Sequence, residues 1–406
     1  MPWRGPMDAR LALIVDVEER GFTVERAAEI HKVARSCAQK WLGRYRAHGL
    51  AGLEELSRAR HSQPHRTPER DVKRLLRMKK RHPDYGPAKL VTMVERETGE
   101  PFMAVSTAGA ILERHGLVQK RGPRRRAVGS IEHFPFEIDR AGYSATVDYK
   151  GQFRMLNRAE CYPLTIMDPV SRYIFAIEAL TSTAGEPARR VFERVFRKYG
   201  VPNQTISDNG PPFTSSLSLG GLTQLSKWWI DVGSTPVRIE PGKPQQNGRH
   251  ERAHRTMKDR IKAFPQNDLL DQQKFFNRFR NEFNHIRPHE SLEQKTPGSV
   301  LVPYSLPFPR RIHPAEYSEL HVPRSIRSNG QMKWKGGTIF VSETLIGESI
   351  GLLPISESVF EIYYRHVRLG YLDERTKRVT NRTPLRCKQT TAPENTEDTT
   401  VDNSAE

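Results

Sequence analysis

The sequence is poor in cysteine, with three among 406 residues, and they lie far apart: Cys37, Cys161 and Cys387. Disulfide frameworks and structural zinc sites both need closely spaced cysteines, so this spacing excludes these two classes of protein. Long apolar runs are also missing, because no stretch approaches the ~18 uncharged apolar residues of a membrane-spanning helix. The opening MPWRGPMDAR lacks the apolar core of a secretory signal peptide. We therefore expect a protein of the reducing cytoplasm that has no membrane partner.

Acidic residues are scarce relative to basic ones. Lys and Arg total 65 against 47 Asp and Glu, which gives a formal net charge of +18. A field of this sign attracts polyanions, and phosphate neutralisation dominates the affinity of proteins for nucleic acid. Nucleic acid is therefore the first partner to consider, although charge alone also fits a protein that is merely basic.

The first 120 residues predict two small helical modules. Residues 1–58 contain three short helices with Gly, Ser and Thr at their boundaries, the arrangement of a helix-turn-helix domain. The third helix carries Lys40, Arg44 and Arg46, which would contact DNA if this helix lies in a major groove. An ordinary three-helix bundle fits the same periodicity equally well. Residues 66–120 repeat the pattern and predict a second helix-turn-helix or winged-helix domain.

A basic stretch, residues 121–135, follows the two modules. Gly and Pro interrupt it too often for a regular helix, so we interpret it as a linker. Arg124, Arg125 and Arg126 suit contacts with successive DNA phosphates. The alternative is a disordered basic connector with no fixed contact.

Residues 136–305 predict a mixed α/β domain. The pattern changes to strands and helices in the order βββαβαβαα, with residues 143–153 as the first strand and a turn at Asp168–Pro169 between the next two. Antiparallel strands followed by helical crossovers indicate a mixed five-stranded sheet. Trp228 and Trp229 suit its core.

The C-terminal part predicts a further, all-β domain. Residues 320–385 contain short strands separated by Gly and charged turns, enough for a small β-barrel of about five strands. Residues 387–406 are rich in Thr, Asn and acids and lack aromatics, so we expect a disordered tail. The whole chain is therefore predicted to be a multidomain α+β protein.

Three carboxylates stand at notable places in the mixed domain. Asp148 lies in the middle of its first strand, Asp208 ends the fourth strand, and Glu251 lies in the first turn of a late helix. A mid-strand acid needs a partner, because burying an unpaired charge is costly. If the first and fourth strands are neighbours, both Asp side chains converge at one sheet edge. Taken singly, Asp148 fits a strand end and Asp208 fits a turn.

The helix that carries Glu251 has two faces at 100° per residue. One face begins with the acid and continues with bases: Glu251, Arg255, Lys258 and Lys262. The other is apolar: Ala253, Met257, Ile261 and Phe264. The alternative for the acid is an ion pair with Arg255 on a solvated face. We expect His250 and His254 to face DNA or solvent, and Glu178 and Asp231 to be solvated.

Several carboxylates in one place suit Mg²⁺, a hard cation that completes its shell with water and substrate phosphates. Two such ions about 3.5–4 Å apart can activate a nucleophilic oxygen and stabilise the leaving one in phosphoryl transfer. The three acids in their strand–strand–helix order therefore predict a site for two Mg²⁺ ions, with Mn²⁺ as a substitute.

These motifs resemble those of the DDE transposases and integrases of the retroviral-integrase superfamily, above all the bacterial insertion-sequence transposases of the IS481 type. The resemblance rests on VDYKG around Asp148, ISDNGPPF around Asp208 and PQQNGRHER around Glu251. It extends to FNHIRPHESLEQKTP (residues 283–297) and to KWLGRYRAHGLAGLEELSRAR, and covers roughly residues 9–380.

The resemblance implies an RNase H-like catalytic domain with Asp148, Asp208 and Glu251 as Mg²⁺ ligands. The implied chemistry is nicking at transposon ends to free a 3′-OH, followed by attack of that 3′-OH on target DNA. The implied partners are transposon terminal inverted repeats, target DNA and further copies of the chain, and the implied location is the bacterial nucleoid. The residues expected to contact DNA around the site are Lys243, Arg249, Arg252, Arg255 and Lys258.

Two departures from the family pattern stand out. The second and third acids are 43 residues apart, where many relatives have about 35, and residues 216–223 (SLSLGGLT) resemble an extra loop. Lys243 stands where relatives often have His. Two other functions stay open: a catalytically silent DNA-binding regulator with this fold, and another RNase H-like nuclease such as a resolvase.

Overall fold

Three helices and a 3-10 turn form the first of the two units into which the chain divides, Met1–Val72 and Lys73–Glu406. The computed structural model describes residues 6–56, 66–118, 138–240 and 248–382. Helices α1 (Pro6–Glu18), α2 (Val24–Ile30) and α3 (Arg35–His48) are followed by the turn Gly49–Leu53. Their apolar side chains form one core: Leu13, Ile14, Ala27, Ala28, Ala38, Leu42 and Leu53. The predicted helical module is confirmed.

A second helical module follows. It consists of α4 (Glu69–Arg81), α5 (Pro87–Thr98) and α6 (Val105–Arg114). Gly99 ends α5 in the left-handed conformation at φ 71°, which a side chain would strain. The buried residues of the module include Leu75, Tyr85, Leu90, Val94, Ile111 and Leu112.

A mixed sheet forms the centre of the second unit. Its strands are β1 (Ser144–Tyr149), β2 (Phe153–Arg154), β3 (Glu160–Met167), β4 (Ile174–Leu180), β5 (Gln204–Ser207) and β6 (Thr235–Arg238). The main ladder is β4-β3-β1-β5-β6, and the two-residue β2 also pairs with β3. The β1–β3 and β3–β4 pairs are antiparallel, whereas β1–β5 and β5–β6 are parallel. The predicted five-stranded mixed sheet is thus confirmed.

One strand prediction was wrong in detail. Residues 143–153 do not form a single strand, because Gly151 adopts φ 83° and separates β1 from β2. A residue without Cβ takes this left-handed conformation at no steric cost, and the chain turns there.

Helices cover both faces of the sheet. α7 (Gly185–Tyr199) and α8 (Gln224–Asp231) pack on one face, where Phe192, Phe196 and Trp229 are fully buried. α9 (Gly248–Ala263) and α10 (Leu269–Asn281) pack on the other, with Met257 and Phe276. Strand β3 alternates between the two cores, with Leu164 and Ile166 in the first and Cys161 and Met167 in the second.

The C-terminal part is all β, as predicted. Strands β7 (Val322–Ser325), β10 (Ser349–Pro354), β11 (Val359–Tyr364), β12 (Val367–Asp373) and β13 (Arg378–Thr380) form an antiparallel sheet in the order β13-β12-β11-β10-β7. β8 (Gln331–Trp334) and β9 (Gly337–Phe340) form a hairpin that shares its core. Closure of these strands into a barrel stays a prediction.

The extra loop of residues 216–223 joins this β-sheet to the mixed sheet domain. Leu219 and Leu222 are buried in the core of the β-sheet together with Ile230 of α8. Gly220 lies so close to β12 that a Cβ would meet Leu369 at 3.1 Å, and its φ of 64° also disfavours a side chain. The loop is therefore an anchor for the C-terminal sheet.

A buried carboxylate fixes the same junction. Asp231, at the end of α8, accepts hydrogen bonds from the Tyr364 hydroxyl (2.5 Å) and Arg365 Nε (2.9 Å) and pairs with Lys227 (2.9 Å). Its side chain is 8% exposed. The prediction that Asp231 is solvated was wrong, because α8 ends against the β-sheet instead of in solvent.

The second helical module is tied to the mixed sheet domain by an ion-pair cluster. Asp84, in the α4–α5 turn, contacts Arg260 of α9 (3.0 Å) and Arg287 (2.8 Å). The Tyr85 hydroxyl donates to Glu282 (2.9 Å), which also pairs with Arg260. Helix α9, which carries Glu251, thus makes direct contact with this module. None of the described helices is long and apolar enough to cross a membrane.

Candidate active site

Strand β1 presents Asp148 on the face of the sheet that α9 covers. Ala145 and Val147 of β1 belong to the core beneath α7 and α8. Because successive side chains of a strand point to opposite faces, Thr146 and Asp148 lie on the other side. Asp148 is paired across the antiparallel ladder with Thr165 of β3, whose hydroxyl lies 2.9 Å from the Asp148 carbonyl oxygen.

Asp208 follows the last residue of β5, the strand next to β1. The parallel register pairs residue 144 with 204 and 146 with 206. The same register carried two residues further places Asp208 beside Asp148, one strand spacing of about 4.8 Å away. The Asp208 carboxylate accepts the Gly210 backbone N–H at 3.2 Å, and Asn209 donates to the Ile239 carbonyl at 2.8 Å. The turn therefore fixes Asp208 at the sheet edge.

Glu251 lies in the first turn of α9, and its side chain is exposed. The inner face of the helix is as predicted for Ala253 and Met257, which are buried, and for Ile261, which is partly buried. Phe264 is an exception, 59% exposed, because α9 ends at Ala263. Within the described chain, Glu251 has no Lys or Arg nitrogen within 4 Å, so the alternative of a Glu251–Arg255 ion pair is not formed.

The charges of the other two acids act on Asp148. Burial and then the negative charges of Asp208 and Glu251 together raise the pKa of Asp148 from 3.8 to about 7. Lys150 opposes this shift, but no Lys or Arg nitrogen of the described residues lies within 4 Å of the Asp148 carboxylate. Asp148 thus lies in the field of two other acids, and the described residues provide no Lys or Arg nitrogen within 4 Å to compensate its charge.

Two histidines of α9 are buried beneath this site, contrary to the prediction that they face DNA or solvent. His250 is 1% exposed and His254 is 7% exposed, with ring centroids 4.7 Å apart. Burial lowers the pKa of His250 to about 3 and, together with the neighbouring His250, that of His254 to about 2. Both rings are therefore neutral at physiological pH. Their polar partners, Thr146 and Thr165, explain why this pair is tolerated inside.

The signal for this burial was present in the sequence. Residues 250, 254, 257 and 261 follow the i, i+3, i+4 spacing of the apolar stripe, so the histidines lie on the inner side of α9. Histidine has both apolar and polar character, so a sequence does not tell whether it lies on the buried or the exposed face of a helix until a partner such as Thr165 is known. The Asp84 cluster was also missed, because Asp84 is 176 residues from Arg260 and 203 residues from Arg287 in sequence.

The basic residues expected at DNA have different surroundings. Arg252, Arg255 and Lys258 are exposed on α9, as is Lys40 on α3. Arg44 donates to the Glu54 carbonyl at 2.8 Å, and Arg46 pairs with Glu18 at 2.7 Å. The side chain of Arg249 and residues Arg124, Arg125, Arg126 and Lys243 lie outside the described part of the chain, as do the linker 121–135 and the tail 387–406.

The donor chemistry of this site suits a hard divalent cation. Among the described residues, no three His, Cys, Asp or Glu side chains already stand at metal-ligand distances. However, an ionised Asp148 beside two further carboxylates is unfavourable without a cation, as its raised pKa records. Carboxylate oxygens are the ligands that Mg²⁺ prefers, and the carboxylates of Asp148, Asp208 and Glu251 fit that preference.

The raised pKa leads to a prediction about stability. In the folded protein Asp148 titrates near pH 7 instead of 3.8, so ionising it costs free energy that begins to appear above pH 4 and is complete above pH 7. Asn cannot ionise, so Asp148→Asn should raise the free energy of unfolding of the metal-free protein. We expect a gain on the order of a few kcal/mol at pH 8 and a smaller one at pH 5.

Thermal unfolding in EDTA at the two pH values measures this gain. The control is Asp259→Asn, which removes an exposed acid from the outer side of α9 and should leave the unfolding midpoint unchanged. An Asp148→Asn variant no more stable than the wild type at pH 8 would show that the carboxylate is already compensated.

Family models match the chain in four segments. The integrase core domain matches residues 139–244 and, in a second model, residues 232–297. A helix-turn-helix domain matches residues 9–61 and a homeodomain-like domain matches residues 37–112. The three acids of the site lie within the integrase core matches, and the other two matches overlap most of the helical modules.

Curated relatives match over part of their length. The Gag-Pol polyprotein of koala retrovirus is 27% identical over 184 residues, 43% of this chain and 10% of the polyprotein. That of woolly monkey sarcoma virus is 31% identical over 101 residues, 25% of this chain and 6% of the polyprotein. An uncharacterized 39.2 kDa protein of insertion element IS476 from Xanthomonas euvesicatoria is 26% identical over 148 residues, 36% of this chain and 40% of the relative.

Two solved structures were also matched. The HTLV-2 integrase catalytic core domain in complex with magnesium covers 40% of this chain and 97% of its own, with a TM-score of 0.31 and 13% identity. A chain of the simian T-cell lymphotropic virus intasome in complex with PP2A regulatory subunit B56 gamma covers 73% and 97%, with a TM-score of 0.35 and 15% identity.

Proposed function

The chain belongs to the DDE transposases and integrases, and we propose that it is a transposase that nicks DNA at transposon ends and joins them to target DNA. The observation that carries the proposal is the parallel β1–β5 register, which places Asp208 beside Asp148, with Glu251 in the first turn of the helix that packs on the same face; the charges of Asp208 and Glu251 both raise the pKa of Asp148. The IS481 subtype is part of the same proposal. The matched relatives are either far longer or only partly covered, so the activity of the whole chain is inferred from its own site.

We propose that the three carboxylates hold the divalent cations, Mg²⁺ or in its place Mn²⁺. When bound, these ions activate the attacking oxygen and stabilise the leaving oxygen of a phosphodiester. In this proposal the fold orients the ligands: the parallel register of β1 and β5 places the two Asp residues side by side, and Glu251, in the first turn of α9, is near enough for its charge to raise the pKa of Asp148. A water molecule first replaces the 3′ oxygen of one strand, and the freed 3′-OH then displaces the 3′ oxygen at a target phosphodiester.

Exposed bases continue from the site along α9. Arg255 and Lys258 follow Glu251 at helical spacing and have no acid within 4 Å among the described residues. Free cations next to an acidic site suit the phosphates that flank the reacting one. The helix-turn-helix modules would supply sequence-specific binding of the transposon ends.

These bases give a prediction about salt. The double variant Arg255→Ala, Lys258→Ala should weaken DNA binding on every sequence and reduce the slope of log affinity against log salt by about 2, roughly one per lost phosphate contact. Fluorescence anisotropy at several salt concentrations measures the slope. The matched control is Lys274→Ala on α10, an exposed lysine already paired with Asp271. An unchanged slope in the double variant would show that Arg255 and Lys258 do not contact DNA phosphates.

The function is tested with the DNA that flanks the gene. The purified protein is incubated with a labelled flanking fragment and a supercoiled plasmid, in MgCl₂ or in EDTA, and nicks and joined products are mapped. We expect nicks that leave a 3′-OH at the ends of inverted repeats, and joined products, only with the metal. Tight binding without any nick would support the silent regulator, and cleavage that follows branched DNA structure instead of the flanks would support a nuclease.

A further inference from the structure

The two buried histidines and two threonines form a hydrogen-bonded chain that leads toward Asp148. His250 Nδ1 lies 3.0 Å from the Thr146 hydroxyl, and His250 Nε2 lies 2.5 Å from the Thr165 hydroxyl. The same Thr165 oxygen lies 2.7 Å from His254 Nε2. The second nitrogen of His254, Nδ1, faces the Asp148 carboxylate at 3.5 Å. Four polar side chains thus connect β1, β3 and α9 directly behind the candidate active site.

Hydrogen-bond accounting gives this chain a direction. Each neutral ring has one N–H and one bare nitrogen, and each threonine hydroxyl has one hydrogen. An ionised Asp148 carboxylate can only accept hydrogen bonds. His254 can therefore donate to it only when the ring proton is on Nδ1. His254 Nε2 then accepts the single hydrogen of the Thr165 hydroxyl, which also has the Asp148 backbone carbonyl as an acceptor at 2.9 Å, and His250 Nε2 donates to the Thr165 oxygen. His250 Nδ1 finally accepts from the Thr146 hydroxyl, whose other acceptor is the Met167 carbonyl at 3.1 Å. Each ring nitrogen has a polar partner in this arrangement.

The chain is also rigid. Thr165 is the cross-strand partner of Asp148, and its β-branched side chain has few rotamers. His250 and His254 are one helical turn apart and pack edge to face, at an interplanar angle of 71°. No other His, Lys or Arg nitrogen of the described residues lies within 4 Å of the Asp148 carboxylate. Besides the backbone hydrogen bond from Tyr149, His254 is therefore the side chain placed to determine its orientation.

We propose that His254 is a positioning residue for Asp148: its Nδ1–H, fixed through Thr165 and His250, holds the carboxylate in the orientation that receives a divalent cation. The present 3.5 Å separation suits this role, because hydrogen bonds in metal-free active sites are often long and shorten in the assembled complex. Partners of this kind orient metal ligands, and their loss costs about 10–100-fold in metal affinity or activity. The part of the proposal that concerns catalysis rests on the proposed function, whereas the part that concerns cation binding does not.

Two isosteric variants separate positioning from packing. The amide of Asn reaches the place of His Nδ1, so His254→Asn keeps a donor toward Asp148 and loses the contact with Thr165. The amide of Gln reaches the place of Nε2, so His254→Gln keeps the Thr165 contact and loses the donor. If His254 only packs in the core against Thr165, His254→Gln should bind cations more tightly than His254→Asn. If His254 positions Asp148, His254→Asn should bind them more tightly.

The first readout needs no DNA. Thermal unfolding midpoints are recorded against MgCl₂ and MnCl₂ concentration, and the midpoint rise of each variant gives its own cation affinity independently of its basal stability. We expect His254→Asn to bind within about threefold of the wild type and His254→Gln to bind about 10–100-fold more weakly. Equal affinities, or the reverse order, would overturn the proposal.

The second readout is the single-turnover nicking rate at saturating DNA, with DNA affinity measured separately. The same order of variants is expected in the rate, with unchanged DNA affinity. If the wild type and the two variants bind cations in the expected order but the wild type nicks no DNA, the proposed function is overturned and the positioning role is supported. Should the His254 variants not fold, Thr165→Val removes the hydroxyl at similar volume. It removes the donor that holds the His254 proton on Nδ1, a dependence that the fixed amide donor of His254→Asn does not have, so it should weaken cation binding as His254→Gln does. Wild-type affinity in Thr165→Val would overturn the proposal.

Discussion

Replacement of Asp148 by Asn should lower the rate of DNA nicking and joining by at least about 1000-fold and leave DNA binding intact. Asn keeps the size of the side chain but loses the charge that a divalent cation needs. Metal stabilisation of the transition state is worth several kcal/mol, and a loss of about 4 kcal/mol corresponds to this factor. Single-turnover nicking of a labelled end fragment measures the rate, and a gel shift of the same fragment measures binding.

The matched control is again Asp259→Asn, an exposed acid on the helix that carries Glu251, and it should nick at the wild-type rate. The stability prediction adds a second safeguard, because the inactive Asp148→Asn protein should be more stable than the wild type in EDTA. If Asp148→Asn lost activity through misfolding, it would be less stable than the wild type instead of more stable. Full joining activity in Asp148→Asn would show that the Asp148 carboxylate has no role in catalysis.

The second large effect is expected at Asp231, which connects the mixed sheet domain to the C-terminal β-sheet. Asp231→Ala removes the acceptor of Tyr364 and Arg365 and one of the two acids that contact Lys227. Removing one partner of a buried ion pair costs about 3–5 kcal/mol, because the remaining charge stays buried and uncompensated. We expect destabilisation of this size and faster proteolysis of the connector, residues 307–321.

Urea unfolding and limited trypsin digestion measure the two effects. Asp259→Ala serves as the control, since Asp259 is exposed and has no ion pair within 4 Å among the described residues. A wild-type urea midpoint together with an unchanged digestion pattern would mean that Asp231 does not hold the sheet and that other contacts, such as the packing of Leu219, Leu222 and Ile230, are sufficient.

The sequence predicted the acids of the site because they violate local rules. A charge in the middle of an alternating strand, as at Asp148, and an acid at the start of a basic helix, as at Glu251, each need an explanation. Their order along the chain then restricts the topology, and the parallel β1–β5 register places the first two acids side by side. Strand order and helix faces follow from the periods of 2 and 3.6 residues.

What the sequence did not predict depends on contacts between distant residues. The loop of residues 216–223 looks like a simple insertion, yet its leucines pack in a core made by strands some 100 to 150 residues later. Asp231 looks like an exposed helix-end acid until Tyr364 and Arg365 reach it. His254 looks solvated until Thr165 and Asp148 are beside it. Local periodicity carries no information about such partners.

The central claim is that Asp148, Asp208 and Glu251 form one cation site, and anomalous scattering from crystals soaked in MnCl₂ tests it most directly. We predict Mn²⁺ peaks bounded by the carboxylates of Asp148 and Asp208, with Glu251 at the same cluster, and loss of these peaks in Asp148→Asn crystals. Crystals that show no Mn²⁺ there at saturating metal, with the Asp148 carboxylate paired to a lysine or arginine instead, would contradict the account.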